Sequence, residues 1–102
     1  MVYQPIDNHL INHVSQMCKA LSDPTRIKIL HLLFHKECSV SEIARRLDMQ
    51  QSTISHQLKH LKQLNLVKCR REKTRYYYSP DDEHVRNLLE QMIDHAKHTE
   101  GG

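Results

Sequence analysis

Two short spacings near the C-terminus set donor atoms in a metal-ligating pattern: Asp82-Glu83-His84, then His95-Ala96-Lys97-His98 beginning eleven residues after His84. In a helix turning about 100° per residue, an eleven-residue step returns to within roughly 20° of the same face, so both pairs share one stripe. At about 1.5 Å rise per residue, however, His84 and His95 stand roughly 16 Å apart, beyond the span of one ion with bonds near 2 Å. One helix cannot close such a site. Two copies packed antiparallel across a homodimer would bring Asp82 and His84 of one chain to His95 and His98 of the other, giving three nitrogens and one oxygen, twice by symmetry. That donor set suits tetrahedral Zn(II), accepts Co(II) and leaves no open coordination position. From spacing alone, a solvated helix end in a chain with nine histidines fits equally well. His9 and His13, with Tyr3, offer further donors that would move the preference toward six-coordinate Ni(II); a frayed helix start is the plainer reading of that segment.

A second constellation combines short polar groups with cations. Gln51, Ser52, Thr53, Ser55, His56, Lys59 and His60 fall on the polar face of one helical pattern. Hydroxyl and amide groups there can reach base edges or phosphates in a major groove, and lysine neutralises backbone charge. Arg70, Arg71, Lys73 and Arg75 follow at once in a non-helical stretch suited to phosphates or a minor groove. From Lys59 to Arg75 there are seven Lys/Arg against one acid, Glu72, although the whole chain carries only +3. From Asp81 to Glu100 the balance reverses, with six acids against Arg86 and Lys97, so that segment has another task. An ordinary solvated helix and hairpin would explain either feature alone; together with the elements below they predict binding to double-stranded DNA.

These residues need scaffolding, and the hydrophobic spacing supplies it. Ile6, Leu10, Val14, Met17 and Leu21 predict a helix from about Asp7 to Leu21. Ser22-Asp23-Pro24 combines capping residues with a proline suited to a first turn, opening a second helix to about Phe34. Ser39-Val40-Ser41-Glu42 has the form of a capping box and starts a third helix ending near Leu47. After Asp48-Met49-Gln50, a fourth begins at Gln51 with Ile54, Leu58, Leu61 and Leu64 on one stripe, which makes a glycine-free helix-turn-helix over about 39–64. Leu66 to Arg71 and Arg75 to Ser79 read as a hairpin, the wing, over about 66–79; its tip has no Gly or Asn to ease a positive φ. Ser79-Pro80-Asp81-Asp82 announces a last helix over about 80–98, carrying Val85, Leu88, Leu89, Met92 and Ile93. The expected fold is mainly α (α+β), a single winged helix-turn-helix domain over 1–102 with terminal dimerisation helices.

Composition bounds the rest. The 102 residues are 38% hydrophobic with one Phe, four Tyr and no Trp, so the core is expected to be aliphatic. A chain this small leaves much apolar surface uncovered, which favours self-association. No run of 18 apolar residues occurs, and Met1 to Asn12 lacks a basic stretch followed by an apolar one, which predicts no membrane span, no secretory signal and a cytoplasmic location. Cys18, Cys38 and Cys69 are odd in number and scattered, unlike a disulfide framework or a zinc finger.

Three stretches taken together, Lys19-Ala20-Leu21-Ser22-Asp23-Pro24-Thr25-Arg26-Ile27-Lys28-Ile29-Leu30, Gln51-Ser52-Thr53-Ile54-Ser55-His56-Gln57-Leu58-Lys59-His60-Leu61 and Tyr78-Ser79-Pro80-Asp81-Asp82-Glu83-His84, resemble the ArsR/SmtB family of bacterial winged-helix metal-sensing repressors from about Val14 to His98. Within it the likeness is strongest to zinc- and cobalt-responsive members, whose last-helix sensor site has the D-x-H and H-x-x-H spacing of Asp82, His84, His95 and His98. The resemblance implies a homodimer that binds an operator, an imperfect inverted repeat, when metal-free and releases it on Zn(II) binding, freeing efflux or resistance genes. The family's thiolate site is a C-x-C pair in the third helix; Ser39-Val40-Ser41 stands there instead, with Cys38 one position off. Gln50 stands where a capping serine is expected, and Lys73 where a wing glycine is common.

Other classes remain to be compared. A zinc hydrolase needs an open coordination position, a general base and a cleft, none of which this pattern supplies, so no enzyme is expected. A thiol-based redox-sensing repressor using Cys38 or Cys69 is the main alternative, since Cys69 lies next to Arg70 and Arg71. A constitutive winged-helix repressor with solvated histidines is the third.

Overall fold

The computed structural model describes residues 2–100. The elements run α1 (Asn8–Ala20), α2 (Pro24–His35), β1 (Cys38–Ser39), α3 (Val40–Leu47), α4 (Gln51–Gln63), β2 (Val67–Glu72), β3 (Arg75–Pro80) and α5 (Glu83–Glu100). They form a helical body with a small antiparallel sheet of order β1-β3-β2, the winged helix-turn-helix architecture.

Local chemistry sets the helix ends. Asp7 caps α1 by accepting the His9 N–H at 3.1 Å, and Asp23 caps α2 by accepting from Arg26 N–H at 3.0 Å, with Pro24 in the first turn. The capping box forms: Ser39 Oγ accepts the Glu42 N–H at 3.3 Å, while Glu42 Oε1 accepts the Ser39 N–H at 3.2 Å. No glycine ends α3 or α4. Asp48 (φ 55°) and Asn65 (φ 60°) take the left-handed conformation instead, which lets Met49 N–H reach Ala44 O and Leu66 N–H reach Leu61 O, each at 2.9 Å. Asp and Asn tolerate that region better than other non-glycine residues.

The core is aliphatic, as the composition requires. Ile29, Leu30, Leu33 and Phe34 of α2 meet Ile43 and Ala44 of α3, Ile54, Leu58 and Leu61 of α4, and Leu66 and Val67 at the sheet. Ile54, Leu58 and Leu61 are wholly enclosed, and burying each contributes about 1.5–3 kcal/mol. Their burial fixes the rotation of α4 about its axis and turns its polar face outward.

Two features depart from expectation, and a third settles the wing turn, whose type the sequence left open. Strand β1 was not foreseen: Cys38 pairs with Tyr78 and Ser39 with Tyr77, two residues being too short for a strand pattern to register. Pro80 ends β3 opposite Val67 rather than opening the last helix, because the ladder and the Asp81 N–H bond to Leu66 O (3.1 Å) extend the sheet. The wing turns through Lys73-Thr74, and Lys73 adopts φ 58° without being glycine.

The terminal helices are poorly covered by their own chain. Ile6, Leu10 and Val14 of the first stripe and Leu88 and Met92 of α5 are exposed, and Leu89 alone on α5 is buried. No helix among the described residues is long and apolar enough to cross a membrane.

Candidate functional site

Two surfaces carry the residues of interest. On α4, Gln51, Ser52, Thr53, Ser55, His56 and Lys59 are exposed and His60 is half-buried, all displaced from the Ile54, Leu58 and Leu61 stripe. Gln50 occupies the cap position with extended backbone, yet its side chain makes no capping bond, so no side chain covers the first-turn N–H groups. A helix start with open donors attracts anions such as phosphate. Arg26 of α2 donates from Nε to Gln57 Oε1 at 2.6 Å and ties α4 to the helix behind it. That contact spans 31 residues of sequence, and no local pattern signals it.

The wing cations are unequal. Arg70 is held by Glu37 (Nε to Oε1 2.8 Å) and Glu72 (Nη1 to Oε2 3.2 Å) and lies over the Tyr77 ring. The Glu37 carboxylate, then Glu72, pushes its pKa above the ordinary guanidinium value. Arg71 donates to Lys73 O at 2.9 Å and lies over Tyr76. Among the described residues, no carboxylate stands within ion-pair reach of Lys73 or Arg75, which leaves both open to an external anion. Sequence reasoning missed Glu37 as a partner of Arg70, since 33 residues separate them.

The four proposed ligands, Asp82 just before α5 and His84, His95 and His98 on it, are all exposed. The structure brings Asp82 and His84 together, with Oδ2 and Nδ1 3.5 Å apart. Asp82 Oδ1 accepts the N–H groups of His84 (2.9 Å) and Val85 (3.2 Å) and so starts the helix. The Val85 N–H bond, aided by the neighbouring His84, holds the Asp82 carboxyl below the usual range. His95 and His98 lie further along the same helix, and among the described residues no three potential ligands converge within one chain. A carboxylate oxygen and three imidazole nitrogens are the right donors for Zn(II) or Co(II), but the set fits one ion only when two chains share it. An apolar groove of about 350 Å³ runs beside Asp82 and His84, lined in part by Val14, Leu21, Val85 and Leu88.

Cys38 is fully enclosed and donates from Sγ to Lys36 O at 3.3 Å. Burial, then the Glu42 carboxylate, pushes its thiol pKa up, opposite to what a reactive thiol needs. Cys69 is half-buried and faces Tyr78 across the ladder.

Outward polar groups on α4, a basic wing beside it and a preceding helix held at a tight turn define a winged helix-turn-helix DNA-binding protein. Comparison with known proteins narrows this. Residues 23–68 match the model of bacterial regulatory proteins of the arsR family. The chain is 41% identical over 85 residues to the cadmium resistance transcriptional regulatory protein CadC homolog of Staphylococcus aureus, covering 82% of this chain and 70% of that protein. It is 34% identical over 87 residues to the transcriptional repressor SmtB homolog of Synechocystis, covering 85% of this chain and 66% of that one. The homodimeric winged helix-turn-helix DNA-binding domain Mb0332 of Mycobacterium bovis superposes with a TM-score of 0.85 at 36% identity, over 95% of this chain and 91% of that one. The chain belongs to the ArsR/SmtB family, and is therefore a DNA-binding transcriptional regulator and not an enzyme.

Proposed function

We propose that this chain is a cytoplasmic, metal-responsive repressor of the zinc- and cobalt-sensing CzrA type. Its metal-free homodimer binds an inverted-repeat operator through Gln51, Ser52, Thr53, Ser55, His56, Lys59 and His60, with Arg71, Lys73 and Arg75 on the flanking backbone and Arg70 joining them only where it leaves Glu37 and Glu72. Asp82 and His84 of one protomer and His95 and His98 of the partner subunit would hold Zn(II) or Co(II), with Ni(II) a further occupant. The single observation that carries this reading is the preassembled Asp82–His84 pair on a helix whose apolar stripe is exposed, with two more histidines too far along it to complete a site in one chain. Bound metal would supply a cross-link between two α5 helices. If that cross-linked geometry holds the two α4 helices out of register with successive major grooves, metal and operator weaken each other's binding by the same factor. The enclosure of Cys38 weighs against it as a redox switch and leaves Cys69 as the thiol to test.

Operator affinity is measured with and without one zinc equivalent per chain at fixed ionic strength, for the wild type, Asp82→Asn and His95→Ala. Asparagine keeps the Oδ1 acceptor that starts α5, so loss of the response reports on ligation. Zinc should weaken wild-type binding about tenfold or more, about 1.4 kcal/mol of coupling, and neither variant should respond. Mixing the two variants should restore a response, because each heterodimer contains one intact site. No zinc effect on the wild type, or an equal effect on all three proteins, refutes the proposal.

A further inference from the structure

Ser41, Glu42 and Arg45 of α3 and Arg75 of β3 line a cleft of about 500 Å³. Ser41, Arg45 and Arg75 are exposed. Among the described residues, neither guanidinium has a carboxylate within ion-pair reach. Glu42 does not neutralise them, because its oxygens are engaged by the Ser39 N–H (3.2 Å) and by Lys36 Nζ (3.3 Å). Arg70, by contrast, spends its charge on Glu37 and Glu72. The cleft is therefore flanked by two open guanidinium groups and a hydroxyl, all from one rigid unit: β1 leads straight into α3 and pairs with β3, which Arg75 begins.

We propose that Ser41, Arg45 and Arg75 form a clamp for one phosphodiester of the DNA backbone, extending the DNA-binding surface from α4 and the wing onto α3. This rests on the DNA-binding reading above. A guanidinium matches a phosphate in forked geometry, and two of them from different elements, α3 and β3, would fix its position as well as its charge. A contact of this kind sets the register of the protein on the duplex and carries no base information. Sequence alone did not mark it: Arg45 and Arg75 are thirty residues apart, and Arg45 sits among the residues of a positioning helix.

Arg45→Gln is compared with Arg46→Gln, the next residue on the same helix, which is exposed but does not line the cleft. Binding is read by fluorescence anisotropy on two duplexes, one of random sequence and one selected from a random pool by the wild-type chain, between about 50 and 200 mM salt. Arg45→Gln should weaken both duplexes by a similar factor and lower the slope of log K against log salt by about 0.9 per protomer. The advantage of the wild type should then shrink about 3.5-fold per protomer across that salt range. Arg46→Gln should leave the slope unchanged, and Arg45→Lys should largely restore it. Equal slopes for the two glutamine variants, or a change in base preference without a common loss, overturn the clamp. Lys59→Gln separates the two proposals. If it weakens binding while Arg45→Gln does not, the clamp alone is wrong; if no variant affects DNA binding, the interface reading falls with it.

Discussion

The uncapped start of α4 allows stability and DNA binding to be moved in opposite directions by one side chain. Gln50 has the extended backbone of a cap residue (φ −70°, ψ 143°) but makes no capping bond. Serine or aspartate there can accept a first-turn N–H, which contributes about 1 kcal/mol. In a chain of this size that corresponds to a rise of roughly 4–8 °C in the unfolding midpoint, with the aspartate charge adding about 0.3–1 kcal/mol through the helix dipole. The same carboxylate would lie in the path of a phosphate approaching the helix start. At about 6 Å and an effective dielectric between 80 and 20, the repulsion is roughly 0.7–2.8 kcal/mol, or about 3- to 100-fold in affinity. Gln50→Asp should thus melt higher and bind DNA more weakly; Gln50→Ser should melt higher without the charge penalty. Melting is followed by far-UV circular dichroism at fixed protomer concentration, since dimerisation shifts the midpoint, and binding by anisotropy at fixed salt. A Gln50→Asp protein that binds DNA as tightly as the wild type would show that the start of α4 does not face phosphate.

Three further outcomes follow from local geometry. Removing the capping hydroxyl with Ser39→Ala should cost about 1 kcal/mol in urea unfolding at pH 7. The Glu42 pKa is lowered chiefly by the Ser39 N–H bond, so its contribution is present above the ordinary value of 4.5 and is lost as pH falls through the lower folded value; the stability gap between wild type and Glu42→Ala should close on acidification below 4.5. Lys73→Gly relieves a left-handed residue worth about 1–2 kcal/mol, offset by about 0.5–1 kcal/mol of glycine entropy. It should therefore melt slightly higher while binding DNA with a smaller salt slope, and a lower midpoint would contradict the account of the turn.

Much of the scaffold could be read from the sequence because its signals are local. Proline in the first turn of α2, the Ser39–Glu42 box and the Ile54, Leu58, Leu61 stripe each act within a few residues, and the corresponding elements form where they predict. What escaped was long-range or unusually short. Strand β1 has two residues, one of which also caps α3. The Arg26–Gln57 and Arg70–Glu37 bonds join distant segments, so the pattern of seven cations in the basic stretch gave no hint that Arg70 is already paired. Left-handed turns at Asp48, Asn65 and Lys73 lack the glycine that usually marks them. The proposed metal set at and along α5 is legible as spacing, but a single chain brings together only Asp82 and His84.

Within that pair, the carboxylate is the stiffer group. Asp82 commits Oδ1 to two backbone N–H groups and presents Oδ2 toward the His84 ring, so its rotamer is set before any cation arrives. As a proposed ligand fixed by its own backbone it would lose little freedom on coordination, whereas the exposed His84, His95 and His98 would have to surrender theirs. In a symmetric dimer each proposed site would combine one fixed carboxylate with three freer imidazoles. Asp82 would then serve as the fixed anchor at the start of one helix, onto which the imidazoles beside it and at the end of the other helix would close like a latch.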